Sequence, residues 1–510
     1  MMEEEENVAK YAKYLAANLH LYPPEHVIYG DYAYKVWDEK MIKDLFGYLT
    51  PRNMRVDVQT KSFTKYLSSS SQRKNSSNEI EPWFRLEYFE EDIPRKWVEL
   101  WENPPSLDPS LHLPLQNKFI PRDLSRRAER GVFESRKEIL EGDVMIFSYE
   151  LGKSHGLPFV KTEFCITLSG ADDNSLRKYL MARLFTLLLK DELNEITYMG
   201  NEASLETAIF YVSGRLVLQV NGLVDKLPVY LSELVAVLKS FIPKDDRFRA
   251  IKEDMERTLK NAHTKPKDYN NYTLKRVLLS SFWSVEDRLN ELSTVSLADL
   301  ESFIQNLLSK VHIKGQSSGN LLEKEALKIL EAFTDNFSDP LEPGMTPTVS
   351  MVKLPPSVSR VIDVRAKNEL DKNSSVQLYF QIGANTPELY VKAKLFDVLV
   401  KEPFYNKLRT KMQLGYEVSS GVRLNHGILG FYFYVQSSKF NPKYLQKRMI
   451  AFIKGVQKML ENIDKQAFRN HKSGSVCLLS DIENQECFCE TTEVGNRDFG
   501  IFSNNPEKLA

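Results

Sequence analysis

The sequence predicts an α+β fold made of duplicated domains, each a mainly antiparallel sheet with helices packed on one face. Two observations support this prediction. Alternating apolar residues mark strands that come in hairpins, and helices with apolar residues at helical spacing flank each hairpin. The order strand, helix, hairpin and helix occurs twice, about 210 residues apart, which indicates a duplicated domain and not a solenoid repeat.

Composition places the chain among globular proteins. Its 510 residues, of which 42% are hydrophobic and 27% charged, predict about three domains. The 68 basic and 69 acidic residues nearly cancel, which argues against general nucleic-acid binding. The most apolar run, residues 179–189, is too short to cross a bilayer, so no membrane contact is expected. Four cysteines and no secretory signal predict a reducing, cytoplasmic location.

The first predicted part covers residues 1–115. Helical spacing occurs at residues 7–21 and 39–48, and residues 54–58 are typical of a strand. Residues 68–78 are polar and of low complexity, which predicts a loop. A proline-rich run at residues 103–121 predicts an extended linker and the first domain boundary.

The second part, residues 116–340, has the first copy of the repeated order. Strands are predicted at 144–150, 161–168, 207–212, 215–220 and 310–314. Helices are predicted at 175–193, 228–241, 247–262, 272–289, 297–308 and 324–333. A second proline-rich linker follows at residues 339–356.

The third part, residues 357–475, has the second copy. Its first strand, residues 375–382, turns Val376, Leu378, Phe380 and Ile382 inward. A helix follows and is predicted to break at Pro403, with a short second helix near Arg409 and a turn at Gly415. The hairpin begins at Tyr416, and its return strand turns Phe431, Phe433 and Val435 inward before a last helix at 441–463.

Arg409 and Tyr416 are the candidate functional pair, seven residues apart across the predicted turn. Guanidinium and phenol groups both donate hydrogen bonds to a carbonyl oxygen that gains negative charge during attack. The alternative is an arginine in a surface ion pair and a tyrosine packed against the sheet. Pattern alone leaves both interpretations open.

Two other constellations are weaker. Gly315 to Gly319 fits the G-x-S-x-G pattern of a nucleophile elbow, with Ser317 as the nucleophile, but the alternative is a simple Gly/Ser turn. No two histidines stand at the spacing of a zinc motif, and Pro23 and Pro24 would break a helix carrying His20 and His26. Cys487 and Cys489 form a lone C-x-C. No metal site is therefore expected in this chain.

The segment from Leu408 to Tyr416, LRTKMQLGY, preceded by Glu402-Pro403-Phe404, resembles the fourth-domain signature of the insulinase (pitrilysin) zinc metallopeptidases. Within them the chain is most similar to the plant nardilysin-like branch. Further matching segments are His26 to Asp31, Leu111 to Pro114, Lys118 to Pro121, Lys190 to Glu195 and Val435 to Ser438.

This resemblance implies half of a clamshell of four homologous domains. Residues 1–115 would be the end of the second domain, 116–340 the third, 357–475 an incomplete fourth, and 476–510 a divergent tail. In that family the zinc ligands lie in the first domain, which is missing here. The fourth-domain arginine and tyrosine, here Arg409 and Tyr416, contact the substrate, and Met412 stands where relatives usually carry a glutamate.

Three functions remain open on the sequence. The first is the substrate-binding C-terminal part of a zinc metalloendopeptidase that acts on peptides. It would hold no catalytic residue or zinc and would be inactive without an N-terminal half. The second is a non-catalytic peptide-binding or regulatory module that pairs with a full-length relative. The third is a hydrolase that uses Ser317.

Overall fold

The computed structural model describes residues 8–33, 35–60, 62, 79–88, 90–113, 115–125, 127, 136–151, 159–168, 175–212, 214–280, 282–341, 351–355, 359–368, 370–466 and 468–472. The chain divides into two compact units, Met1–Gln116 and Asn117–Ala510. The loop predicted at 68–78 and the tail 476–510, with Cys487 and Cys489, lie outside the described residues. The division into family domains stays a prediction.

Polar contacts join neighbouring parts of the first unit. Its elements are α1 (Val8–Asn18), α2 (Glu39–Tyr48), β1 (Glu79–Ile80), β2 (Glu87–Tyr88) and α3 (Arg95–Glu102). The hydroxyls of Tyr14 and Tyr22 each donate to the Asp31 carboxylate over 2.6 Å, and they keep the pKa of that carboxyl below its usual range. None of the described apolar side chains in this unit is buried. The strand predicted at residues 54–58 is wrong, since that segment pairs with no strand among the described residues.

A six-stranded sheet forms the centre of the second unit. Its strands are β3 (Lys137–Glu141), β4 (Met145–Leu151), β5 (Phe159–Leu168), β6 (Leu205–Val212), β7 (Arg215–Leu223) and β8 (Val311–Gly319). Their order is β3-β4-β8-β5-β7-β6, and all neighbours are antiparallel except β4 and β8. Cys165 is buried beside Val217 and is disulfide-bonded. The cellular compartment stays a prediction.

Eight helices accompany this sheet in the described residues: α4 (Leu176–Glu192), α5 (Asn194–Glu202), α6 (Leu227–Ser240), α7 (Asp245–Asn261), α8 (Pro266–Leu278), α9 (Val285–Thr294), α10 (Leu297–Leu307) and α11 (Glu323–Thr334). The single helix predicted at 272–289 is wrong. Leu279 forms a bridge with Met351, and Ser284 then begins α9 with a capping box to Asp287. None of the helices described is long and apolar enough to span a membrane.

A second, three-stranded sheet repeats this arrangement. Its elements are β9 (Ser374–Ala384), α12 (Pro387–Tyr405), β10 (Glu417–Asn425), β11 (Ile428–Ser437) and α13 (Pro442–Glu461). The strand order β10-β11-β9 matches β6-β7-β5 in the first sheet, and all these neighbours are antiparallel. The predicted α+β fold with duplicated, mainly antiparallel sheets is therefore confirmed.

The two faces of this small sheet differ. Phe431, Phe433 and Val435 of β11 pack against α12 and α13 in one apolar core, as predicted. The inward prediction is wrong for Phe380 and Ile382, which are 46% and 43% exposed. A register shift between Leu429 and Gly430 interrupts the regular alternation at that end of the sheet.

The opposite face is polar and contacts α8 of the preceding repeat. Asn270 Nδ2 donates to Ser375 Oγ over 2.9 Å, and Lys267 Nζ lies 2.5 Å from a carboxylate oxygen of Glu417. A guanidinium nitrogen of Arg423 donates to Asn271 Oδ1 over 2.6 Å. The first two turns of α8 thus contact this polar face.

Candidate functional site

Arg409 lies in a π-helix. The predicted break at Pro403 is wrong. α12 continues through Pro403 and passes directly into the π-helix Asn406–Lys411. Phe404 near the end of α12 and Leu408 in the π-helix are fully buried in the apolar core. This packing offsets the cost of an interior proline. The core therefore fixes the backbone that carries Arg409. π-helical turns are frequent at functional sites.

The turn after the π-helix depends on Gln413, which has a left-handed backbone with φ 49°. The backbone N–H of Met412 donates to the carbonyl of Lys407 over 3.0 Å, and that of Leu414 donates to Leu408 over 2.9 Å. The prediction that Gly415 makes the turn is wrong, since the left-handed residue stands two positions earlier.

Gly415 is instead a point of close approach. A β-carbon there would lie 1.9 Å from the backbone oxygen of Gln436. The segment before β10 therefore passes directly against the end of β11, and only a residue without a side chain fits. This contact fixes the start of β10 and thus the position of Tyr416.

The Tyr416 ring is 55% exposed, but its hydroxyl is anchored. The Gln436 amide nitrogen donates to the Tyr416 hydroxyl, and the Gln436 amide oxygen accepts from the Tyr434 hydroxyl over 2.7 Å. Gln436 and Tyr434 are both buried. The hydroxyl is thus held at the sheet while the side chain stays largely exposed, and the alternative of a tyrosine packed against the sheet stays open.

Arg409 is half-buried, and its Nε atom is buried with no hydrogen-bond partner among the described residues. Within the same described part of the chain the guanidinium forms no ion pair, so the described residues give no support to the ion-paired alternative. No hydrogen bond joins Arg409 to Tyr416. The two side chains lie on either side of one turn, each with donor capacity left over.

Charge and burial around the pair favour an electron-rich ligand. Lys407 and Lys411 belong to the same π-helix as Arg409. Burial, with the negative charge of Glu417 as a second cause, raises the pKa of the Tyr434 phenol, so this hydroxyl keeps its proton. The site therefore presents hydrogen-bond donors, which are groups that suit a carbonyl or carboxylate oxygen.

Ser317 lies in the other sheet and is not part of this site. It stands inside strand β8, is fully buried, and shares a hydrogen bond of 3.0 Å with Thr162. Both the nucleophile elbow and the Gly/Ser turn are wrong, because β8 extends to Gly319 between β4 and β5. Strand pairing on both sides overrides the local Gly/Ser preference.

No group of three or more His, Cys, Asp or Glu side chains that could hold a metal ion occurs in the described ranges. Sequence reasoning missed Gln436 and Tyr434 as parts of the site. The alternation of β11 could have identified them, because it places both residues on the face opposite the apolar core. A buried glutamine beside two tyrosines on that face needs polar partners.

Comparisons with known proteins agree with this architecture. Residues 2–291 match the family described as the middle or third domain of peptidase M16, and residues 395–486 match the C-terminal lobe domain 4 of PqqF-like proteins. A nardilysin-like protein from Arabidopsis thaliana is 39% identical over 93% of this chain and 46% of its own length. Human insulin-degrading enzyme is 29% identical over 92% of this chain and 45% of its own length.

Among solved structures, pitrilysin has the same fold. It aligns with a TM-score of 0.65 at 17% sequence identity, over 93% of this chain and 49% of pitrilysin. The chain thus spans about half the length of the curated relatives it matches. With more than half of its residues matched by the middle-domain family, the chain belongs to the M16 peptidases.

Proposed function

We propose that this chain is the substrate-binding C-terminal half of an insulinase- or nardilysin-like zinc metalloendopeptidase. Arg409 and Tyr416 donate hydrogen bonds to the backbone of a bound peptide, and the chain alone does not cleave it. Cleavage requires a separate N-terminal half. The observation that supports this most is the pair of donors on either side of one turn. The Arg409 guanidinium forms no ion pair within the described residues, and the Tyr416 hydroxyl is held by Gln436.

The surface of the first unit supports the need for a partner. α2 exposes Met41, Leu45 and Phe46, and the segment after β1 exposes Trp83 and Phe84. Exposed apolar patches of this kind mark protein interaction sites. The occupant we propose is the N-terminal half that the full-length relatives carry, because this chain covers less than half of each.

Zinc does not fit the described residues, which contain no suitable ligand cluster. The proposal therefore assigns zinc, as in the family, to the N-terminal half, and no chemical step on this chain passes through it. The contribution of this chain is electrostatic. Preorganised donors that face a carbonyl oxygen stabilise the negative charge that develops on it during attack.

The test combines the purified chain with the N-terminal half of a full-length relative and follows hydrolysis of a quenched peptide. We expect turnover only in the mixture and its loss with a chelator. Arg409→Ala and Tyr416→Phe should each lower kcat about 10²-fold or more, by analogy with lost oxyanion donors. Matched controls are Lys454→Ala, an exposed cation of α13, and Tyr198→Phe, an exposed tyrosine of the first repeat.

Each outcome separates the candidates. Turnover by the chain alone with bound zinc would contradict the proposal. Peptide binding without turnover in any mixture would instead favour the second candidate, a regulatory or peptide-binding module that pairs with a full-length relative. Equal losses in the control variants would show that Arg409 and Tyr416 have no special role.

A further inference from the structure

We propose that Gln436 is a positioning residue that directs the hydroxyl proton of Tyr416 outward to the substrate. It links the buried Tyr434 hydroxyl to the Tyr416 hydroxyl in a short hydrogen-bonded row. This inference rests on the proposed function of Tyr416 as a donor to the peptide. It adds a role for Gln436 and Tyr434, neither of which contacts the substrate in the proposal.

The row lies on the polar face of the small sheet. Burial raises the pKa of the Tyr434 hydroxyl, so this group keeps its proton. Tyr434 donates to the Gln436 amide oxygen over 2.7 Å, and the Gln436 amide nitrogen donates to the Tyr416 hydroxyl.

The chemistry of each group sets one direction for the protons. An amide oxygen only accepts, so the hydrogen bond between Tyr434 and Gln436 uses the Tyr434 proton. The Gln436 nitrogen in turn occupies a lone pair of Tyr416, whose proton is left to donate outward. Hydrogen bonds aligned in this way polarise one another in the same direction.

Burial keeps the row intact. Gln436 is 5% exposed, so its side-chain amide is held away from water. The charged groups that face the row are Lys267, Asp268 and Glu417. Of these, Lys267 is engaged with Glu417 and lies 5.5 Å from the Tyr434 ring. None of them replaces a link of the row.

The variant that reverses the last link is Gln436→Glu. An ionised carboxylate only accepts hydrogen bonds, so both tyrosine hydroxyls would donate to it, and Tyr416 would no longer donate to the peptide. A protonated carboxyl group has one donor and one acceptor, like the amide. Lowering the pH should therefore restore the original direction in this variant, a result that a merely structural role would not produce.

The experiment measures the affinity of the full chain for a fluorescent, histidine-free basic peptide at pH 8 and pH 5. We expect Tyr416→Phe and Gln436→Glu each to weaken binding about tenfold at pH 8, the size of one hydrogen bond. The Gln436→Glu variant should recover most of this loss at pH 5. Wild type and Tyr416→Phe should give the same pH response as each other, and the double variant should bind no more weakly than either single variant at pH 8.

The proposal is overturned if Gln436→Glu binds like wild type at pH 8, or stays weak at pH 5 while its unfolding midpoint equals that of wild type. Should the Gln436→Glu chain fail to fold, Tyr434→Phe provides the second test. This variant removes the donor to the Gln436 amide oxygen. It should weaken peptide binding although residue 434 does not contact the peptide. If Tyr416→Phe itself leaves affinity unchanged, the proposed function of Tyr416 fails first.

Discussion

The backbone oxygen of Gln436 lies 1.9 Å from the point where a β-carbon on Gly415 would stand. Gly415→Ala therefore forces the segment before β10 away from β11. We expect the free energy of unfolding to fall by about 1–3 kcal/mol, the usual cost of overpacking. Peptide affinity should fall as well, because the displaced backbone carries Tyr416. Chemical denaturation and peptide titration measure the two effects.

Gly455→Ala is the matched control, since a β-carbon there meets nothing within 4 Å in the middle of α13. Alanine favours a helix over glycine by about 1 kcal/mol, so this variant should be as stable as wild type or more stable. An unaffected Gly415→Ala variant would show that the two strands are not in close contact.

Arg409→Lys should restore little of the activity lost in Arg409→Ala when the chain is combined with an N-terminal half. Lysine keeps the charge but lacks the planar, forked set of donors that a carbonyl or carboxylate recognises. Lys411→Arg is the reverse exchange in the same π-helix and should leave kcat unchanged. Full activity of Arg409→Lys would mean that only positive charge is needed.

Asp397→Asn should stabilise the protein at high pH. Burial against β10 raises the pKa of the Asp397 carboxyl, although Lys401 and Lys394 oppose this effect. The folded state therefore holds this proton more tightly than the unfolded chain, whose pKa is about 3.9. Stability falls as pH rises through the window between the two values, and the penalty is absent below the unfolded pKa.

Thermal unfolding of both proteins at pH 4 and pH 8 checks this prediction. The variant should gain stability over wild type at pH 8 and much less at pH 4. Asp335→Asn, an exposed aspartate at the end of α11, is the control. A gain of equal size at both pH values would point to packing and not to the proton.

Asn271→Ala should loosen the contact between α8 and the small sheet. Arg423 is only 7% exposed and donates to Asn271 over 2.6 Å. Removing the acceptor from a buried charged donor costs about 1–3 kcal/mol. Hydrogen exchange should therefore accelerate in β10, whereas Asn290→Ala, on an exposed position of α9, should have no such effect. Unchanged exchange in Asn271→Ala would contradict the prediction.

Much of the fold follows from local pattern. The alternation of Phe431, Phe433 and Val435 identified both the strand and its core face, because one buried face imposes a period of two. The repeated order of elements also identified the duplication, and Leu189 and Val400 are buried on the corresponding helices α4 and α12. Arg409 and Tyr416 came from the family signature, and their role as substrate donors stays a prediction.

The errors arise where distant residues decide the outcome. The helix continues through Pro403 because Phe404 packs on Phe433 and Phe452, which are far away in the sequence. Ser317 lies in a strand because β4 and β5 pair with it from both sides. The need for glycine at position 415 depends on a backbone oxygen of another strand. No local propensity contains that information.

The two sheets differ at one edge. β5 has β7 on one side and β8 on the other, whereas β9, its counterpart, pairs only with β11 in the described part of the chain. Unpaired backbone donors and acceptors along a strand act as a template for further strand addition. Phe380 and Ile382 expose apolar surface on this same strand. We therefore expect concentrated solutions to self-associate along β9, which light scattering against protein concentration would measure.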